Sequence, residues 1–216
     1  MRHRKIKDLE NKLLNYQRYF AGSAAEHKGG WNRVFENGDG IYFELGAGKG
    51  QFIIGQAEEH SERNYIGAEG RLSVVFRALQ KLEETGLSNV RFVCRFVNDP
   101  QELFSDGELS GIYLNFCDPW PKKRHSRRRL THREYLLKYH SILERGGTVE
   151  FKTDNFELFK FTRDEIADAA AGMFRVSAIT DDLHGSDLSA KNITSEYEEK
   201  FIAAGRCIYY IKMIKV

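Results

Sequence analysis

Between positions 118 and 133 the chain reads DPWPKKRHSRRRLTHR. Asp118 is followed by Pro119, Trp120 and Pro121, so a carboxylate and a flat indole share a stretch of backbone stiffened by two prolines. Seven Lys or Arg residues come next (Lys122, Lys123, Arg124, Arg127, Arg128, Arg129 and Arg133), with His125 and His132 among them and no acid before Glu134. A step suited to a planar base, set against concentrated positive charge, implies chemistry on a nucleic acid, with the basic residues holding phosphates and not reading sequence. The whole chain carries a formal net charge of only +2, so this run is a local feature. The plainer readings are a rigid turn with a buried Trp and a solvated charged face. Seven like charges with no acid between them exceed what solubility alone requires.

A second constellation lies at 44–52, ELGAGKGQF. Gly46, Gly48 and Gly50 permit a tight turn and close approach to a ligand, and the helix start beyond them offers unpaired N–H groups. The spacing is not GxGxxG, because position 51 is Gln, and no GxxxxGK[ST] occurs. A turn without a pyrophosphate signature, preceded by Glu44 on the strand, suits a ligand with an amino-acid ammonium; the alternative is a tight strand-to-helix turn with an edge Glu. At the spacing of about 20 residues expected for a ribose-binding acid, Glu69 follows the second predicted strand. Asn98-Asp99 closes the third: either the pair meets an adenine amino group, or it caps a helix before Pro100. A nucleoside bearing an amino acid and no phosphate is S-adenosylmethionine.

Strands and helices must alternate to position these groups. Strands are predicted at 41–45, 64–68, 90–97, 112–116, 148–152, 174–180 and 207–214, and helices at 51–60, 72–84, 131–143, 156–171 and 195–203. Capping boxes are read at Thr131-x-x-Glu134 and Ser195-x-x-Glu198, and helix ends near Gly86, Gly146-Gly147 and Gly172. The pattern predicts an α/β fold, a seven-stranded mostly parallel sheet with helices on both faces and an antiparallel edge from the last two strands. Ligands in such sheets bind beyond the carboxyl ends of the strands. The whole chain is expected to be one domain. Residues 1–40 form a basic arm and cap, with Ile6, Leu9, Leu13, Tyr16 and Phe20 at roughly helical spacing and Trp31 and Phe35 as anchors. Arg2, Arg4, Lys5 and Lys7 make either an RNA-binding arm or a solvated tail. The stretch 181–194 is the longest late loop, of a length that is often functional.

At 216 residues, 41% hydrophobic and 30% charged, the composition is that of a globular protein with a sizeable core. Cys94, Cys117 and Cys207 are odd in number and widely spaced, which fits a reducing cytoplasm and no disulfide framework. The charged N-terminus lacks a signal-peptide core, no apolar stretch reaches membrane-spanning length, and the seven His show no metal-site spacing. Whether the protein is a monomer or a homodimer is left open.

ELGAGKGQF, NYIGAE, YLNFCDPWPKKRHSRRRL, EFKTDN and TSEYEEKF occur in that order over about 40–210, and together they resemble the bacterial tRNA guanine-N7 methyltransferase family. DPWPKKRH is the most specific piece. The resemblance implies a class I methyltransferase (Rossmann-like) fold, S-adenosylmethionine as donor, S-adenosylhomocysteine as product, no metal, and a variable-loop guanosine of tRNA as acceptor. Family cofactor positions fall on Glu44, Glu69 and Asp118, with one more acid after the third strand. Family tRNA-contacting positions fall on Lys122, Asp154 and Ser195, Glu196, Tyr197 and Glu198, with Thr194 beside Ser195 leaving open which hydroxyl acts. Asp154 either binds the guanine edge or caps the next helix, and Ser195 has an equally good role as a cap.

Guanine N7 carries a lone pair and no proton, so its methylation needs no general base at the attacking atom. The site must align sulfur, methyl and N7 and stabilise a purine that becomes cationic. Asp118 suits both tasks, accepting from guanine N1–H and N2–H while favouring the developing charge. Two rival readings are an RNA-binding module without activity and an exocyclic-amine or small-molecule methyltransferase. The intact turn with Glu44, Glu69 and Asp118 opposes the first. Against the second stand the absence of an (N/D)-P-P-aromatic step and the presence of the basic run.

Overall fold

Strands β1 (Ile41–Leu45), β2 (Asn64–Glu69), β3 (Val90–Cys94), β4 (Leu109–Asn115), β5 (Leu143–Thr153), β6 (Phe174–Thr180) and β7 (Tyr209–Lys215) form one sheet, in the order β3-β2-β1-β4-β5-β7-β6. This computed structural model describes residues 9–22, 24–35, 40–168 and 171–216. Ile6 and the basic arm residues Arg2, Arg4, Lys5 and Lys7 lie outside the described residues. Strands β1 to β5 run parallel; β7 is antiparallel to both β5 and β6 and sits between them, which leaves β6 on the outer edge.

Strand order reverses at β1, whose neighbours are β2 and β4. The chain passes to opposite sides of the sheet there, which opens a crevice at the carboxyl ends of β1 and β4. Helices α2 (Gln51–Glu59) and α3 (Leu72–Thr85) cover one face, where Ile53, Ala57, Val75 and Leu79 pack on Tyr65, Phe92 and Tyr113. Helices α4 (Arg133–Ile142) and α5 (Phe156–Asp168) cover the other, where Leu136, Tyr139, Leu158 and Phe159 pack on Phe43, Ile112, Leu114, Val149 and Phe151. Because side chains alternate along a strand, the polar residues that precede the carboxyl ends of β1, β4 and β5 share the α2 face. They are Glu44, Asn115 and Lys152.

The short helix α1 (Leu9–Leu13) and the turns after it lie against this core. Phe20 bridges to Phe92, the Ala21 N–H donates to the Phe92 carbonyl at 2.9 Å, and Trp31 is buried with its indole N–H on the Leu103 carbonyl at 2.9 Å. Phe35 is buried as well, so both expected anchors hold. Helix α6 (Glu196–Ala203) begins at Ser195 with the expected capping box, and α3 closes at a left-handed Gly86.

Several boundaries differ from the sequence expectation; β4 begins at Leu109 and not 112, and β7 at Tyr209 and not 207. Helix α4 is capped by His132, whose Nδ1 accepts from the Glu134 N–H at 3.3 Å, and not by Thr131. The Thr131 hydroxyl is buried and instead accepts from the Thr162 hydroxyl on α5 at 2.7 Å. Strand β5 starts at Leu143, which pairs with Leu109; the chain then bulges through a left-handed Gly146 before Thr148 pairs with Gly111, so Gly146-Gly147 lie inside the strand and do not end α4. Strand β3 ends at Cys94, short of the predicted 97.

Gly50 caps α2 with φ +81°, and a Cβ there would stand 2.8 Å from Phe92 Cζ and 3.1 Å from Ala78 Cβ. Gly50→Ala is therefore expected to lose about 2–5 kcal/mol in urea unfolding, from left-handed backbone strain plus overpacking. A loss under about 0.5 kcal/mol would show that this turn is not constrained as described.

Candidate active site

Glu44, Gly46, Gly48, Lys49, Gln51, Phe52 and Asn115 line a cleft at the sheet's carboxyl end, and Ser195, Glu196 and Tyr197 of the α6 N-terminus close its far wall. Lys49 and Lys81 hold that wall in place through Glu196, at 3.2 and 2.5 Å. Gln51 adds a bond to Glu199 at 2.5 Å.

Glu44 is 2% exposed. One of its oxygens accepts from the Asn115 amide at 2.8 Å, while Oε2 is buried with no hydrogen-bond partner among the described residues. Burial pushes this carboxyl up to about 7, against the opposing pull of the Asn115 hydrogen bond and the Lys152 charge. An orphaned carboxylate oxygen is costly unless a donor reaches it. At Gly46 and Gly48, φ is +87° and +55°, and a Cβ at either would meet nothing within 4 Å. Open space over a bare backbone turn, beside an acid that lacks a donor, fits the amino-acid end of a ligand with an ammonium group.

The acid-proline step is held under strain. Phe116 and Trp120 adopt φ +52° and +42°, a region that costs non-glycine residues about 1–3 kcal/mol each. At one end the Phe116 N–H donates to the Lys152 carbonyl at 2.9 Å, and its ring packs on Phe201. At the other, Arg129 donates to the Pro119 and Trp120 carbonyls at 3.0 and 3.1 Å. Arg128 lies over the indole at 4.9 Å and His125 meets its edge. Asp118 is exposed between these anchors, with no hydrogen bond or ion pair among the described residues. Burial pushes the neighbouring Cys117 thiol up to about 12, with the Asp118 and Glu44 charges adding to it, so it stays protonated.

The basic run divides into structural and free members. Arg129, expected as a phosphate contact, forks onto the turn carbonyls and lies over Phe161 at 4.3 Å, so it also shapes the turn. Arg133 makes a two-point pair with Glu165 at 2.9 and 3.0 Å. Burial would raise the Glu165 carboxyl, but the Arg133 hydrogen bonds outweigh it and hold it below its usual range. Lys122, Lys123 and Arg124 are exposed and make no ion pair among the described residues. Arg127 reaches only an exposed Glu134 at 3.6 Å.

The other expected site residues separate in the same way. Glu69 ends β2 and accepts from the Arg71 N–H at 2.9 Å. Asp99 is occupied as a cap, accepting from the Gln101 N–H at 3.0 Å and pairing with Lys138 at 2.9 Å, while Asn98 is exposed. Asp154 pairs with Arg206 at 2.5 Å, and Asn155 caps α5 in its place, accepting from the Leu158 N–H at 2.8 Å. Ser195 lines the cleft while its hydroxyl caps α6; Thr194 only reaches toward Glu199, at 3.4 Å. Tyr197 is 58% exposed at the cleft wall. Glu198 is the clearest correction, because it is fully buried and its carboxylate is saturated by Lys152, His184, Asn192 and the Ser195 N–H. It ties Lys152, His184, Asn192 and the Ser195 N–H together behind the cleft wall of Ser195, Glu196 and Tyr197. Sequence reasoning missed Lys49, Asn115 and Lys152, whose signal was a polar residue interrupting an otherwise apolar strand or following a turn glycine.

Among the described residues, no cluster of three or more His, Cys, Asp or Glu could hold a metal ion, and no helix is long and apolar enough to cross a membrane. A family described as "Putative methyltransferase" matches residues 39–211. The chain is 42% identical over 212 residues to a tRNA (guanine-N(7)-)-methyltransferase of Brevibacillus brevis, covering 98% of this chain and 97% of that one. It is 44% identical to the Bacillus subtilis protein of the same name, over 86% and 85% of the two chains. In fold it is similar to an antibiotic-related methyltransferase of known structure, with TM-score 0.59, 22% identity, and 82% and 87% of the two chains covered.

Burial of Glu44 has a measurable cost. The folded state keeps this proton up to about pH 7, whereas the unfolded chain releases it near the ordinary carboxylate value of 4.5. Ionisation therefore opposes folding increasingly as pH rises through that window. Glu44→Gln is expected to gain up to about 3 kcal/mol over the parent at pH 8 and under about 1 kcal/mol at pH 5, by urea unfolding. Equal gains at the two pH values would contradict the buried, donor-starved state of this carboxylate.

Proposed function

The chain belongs to the tRNA (guanine-N(7)-)-methyltransferase family, and on that premise we propose that this cleft carries the methyl transfer, from S-adenosylmethionine to N7 of a variable-loop guanosine, giving 7-methylguanosine. The observation that carries the cofactor assignment is the unpartnered Glu44 oxygen facing an open glycine turn. Glu44 would take the donor's ammonium, Gly46 and Gly48 would leave room for its amino-acid end, and Glu69 would accept from the ribose. Bound there, the donor supplies an electrophilic methyl group on a sulfonium.

The protein's own part is orientation and charge. Asp118 is not among the residues that line the cleft, but it stands exposed three residues beyond Asn115, on a turn held by Arg129. Its carboxylate accepts from N1–H and N2–H of the guanine, turns N7 toward the donor, and favours the positive charge that appears on the purine. No proton leaves the attacking atom, so no side chain has to serve as a base there. Tyr197, exposed on the opposite wall, offers a face on which the base can stack. Lys122, Lys123, Arg124, Arg127 and Arg128 present unsatisfied or weakly paired charge beside this turn and hold the RNA backbone.

Incubation of unmodified tRNA with methyl-labelled donor, followed by nucleoside mass spectrometry, should yield 7-methylguanosine from the variable loop. Label on an exocyclic amine or on no nucleoside would reject the assignment. Asp118→Ala should lower kcat by about 100-fold or more, the scale of a lost charge-stabilising contact, while the thermal midpoint stays put because the carboxylate is exposed. Near-parental turnover would remove Asp118 from the chemistry. Replacing Lys122, Lys123 and Arg124 together by Gln should make the slope of log K for tRNA against log salt less steep by about 2–3, with S-adenosylhomocysteine affinity unchanged. An unaltered slope would reduce these residues to a solvated face.

A further inference from the structure

The Lys152 side chain is 4% exposed, at the carboxyl end of β5. An ammonium has three N–H donors, and each finds an acceptor: Asn192 Oδ1 at 2.5 Å, the Ile193 carbonyl at 2.8 Å and Glu198 Oε2 at 3.0 Å. All three acceptors belong to one stretch, 192–198, which carries Ser195 and Tyr197 on the cleft wall. The second Glu198 oxygen extends the hold, taking bonds from the Asn192 amide at 2.6 Å and His184 at 2.9 Å. On its other side Lys152 reaches toward the donor half of the cleft. It lies over the Phe52 ring at 4.8 Å, and it is in register with Asn115, which is bonded to Glu44.

We propose that Lys152 is a positioning residue, fixing the acceptor wall 192–198 against the donor cleft while supplying the positive charge that faces Glu44 from β5. A simple stability role explains the arrangement less well. A buried ion pair seldom stabilises more than an apolar pair of the same volume, and here the surrounding strands are apolar. Burial pulls the Lys152 pKa down, and the attraction of Glu198, Glu150 and Glu44 opposes that pull. Around Glu44 the other groups are the neutral Asn115 amide, the protonated Cys117 thiol, and Lys49 of the glycine turn, which pairs with Glu196 of α6. Lys152 is the buried cation among them, so its removal leaves Glu44 harder to ionise.

The inference rests on the donor assignment above, and its test separates the two. The measurements are S-adenosylhomocysteine affinity against pH by calorimetry and kcat/KM for tRNA. For the parent protein, affinity should weaken as pH falls through about 7, where Glu44 takes up its proton. Lys152→Met alone strands the buried Glu198 charge and can fail to fold. The deciding variant is therefore Lys152→Met/Glu198→Gln, which leaves no uncompensated charge and keeps the amide contacts. Its binding midpoint should move up by about one pH unit, giving roughly fivefold weaker binding at pH 7 and about tenfold at pH 6. Its kcat/KM for tRNA should fall about 100-fold as the acceptor wall loses its anchor. Lys152→Arg, which keeps the charge, should retain the parental midpoint. A folded double variant with an unmoved midpoint, or with kcat/KM within about threefold of the parent, overturns the proposal. A parent protein that binds S-adenosylhomocysteine and leaves tRNA unmethylated would instead overturn the functional reading, with the midpoint comparison still valid.

Discussion

Charged groups have to be kept inside this protein at the one place where three adjacent parallel strands end together. Glu44, Asn115 and Lys152 form a polar row across β1, β4 and β5 on the α2 face, between otherwise apolar strands. Each member depends on the next. Asn115 satisfies one Glu44 oxygen, Lys152 offsets part of the cost of burying the Glu44 charge, and Glu198 offsets the burial of Lys152. The row ends in an oxygen left without a donor among the described residues. Folding thus stores, at the crevice, an unmet electrostatic demand that the two aromatic and aliphatic layers are large enough to sustain.

The same logic governs the turn that follows β4. Two non-glycine residues in left-handed conformations would relax if they were free. They are held because Phe116 is tied to the backbone of β5 and Trp120 is gripped by Arg128, Arg129 and His125. Part of the basic run is therefore spent on shaping the loop it follows. Arg129 commits its N–H donors to carbonyls, Arg133 pairs its charge with Glu165, and the remainder keeps its donors for solvent or a polyanion. Counting the whole run as an RNA grip overstates it, since an arginine with both faces engaged has little left for phosphate.

The mostly parallel sheet and most element positions were legible because hydrophobic period and turn residues agree along the core: β1 and β6 match their predicted spans, and Gly86 and Ser195 punctuate helices as read. Legibility failed where a side chain had two uses and tertiary packing chose between them. Thr131-x-x-Glu134 has the form of a capping box, yet α5 draws the Thr131 hydroxyl into the core and His132 takes the cap. Glu198 stands in a stretch of substrate-contacting type, yet its carboxylate is fully buried and bound to four internal partners. Local sequence gives no weight to a lysine forty or more positions upstream, and Lys152 on β5 decides where Glu198 points. Asn115 and Lys152 were visible only as polar interruptions of apolar strands, a signal that gains meaning once the parallel register is known.

Transfer to an atom that has no proton to lose changes what such a site must provide. A base catalyst needs one group whose proton affinity is tuned to the solution; here the demand is for charges that stay fixed while a positive charge migrates from sulfur to purine. That favours the division seen in the fold. The carboxyl proposed to meet the donor, Glu44, is buried, shielded from salt, and set by its neighbours on the sheet. The carboxylate proposed to meet the acceptor, Asp118, is exposed on a loop pinned at both ends. Lys152 relates the 192–198 wall to the Glu44 row in two ways: hydrogen bonds of about 3 Å or less hold the wall, and the ammonium charge acts on Glu44 across the sheet.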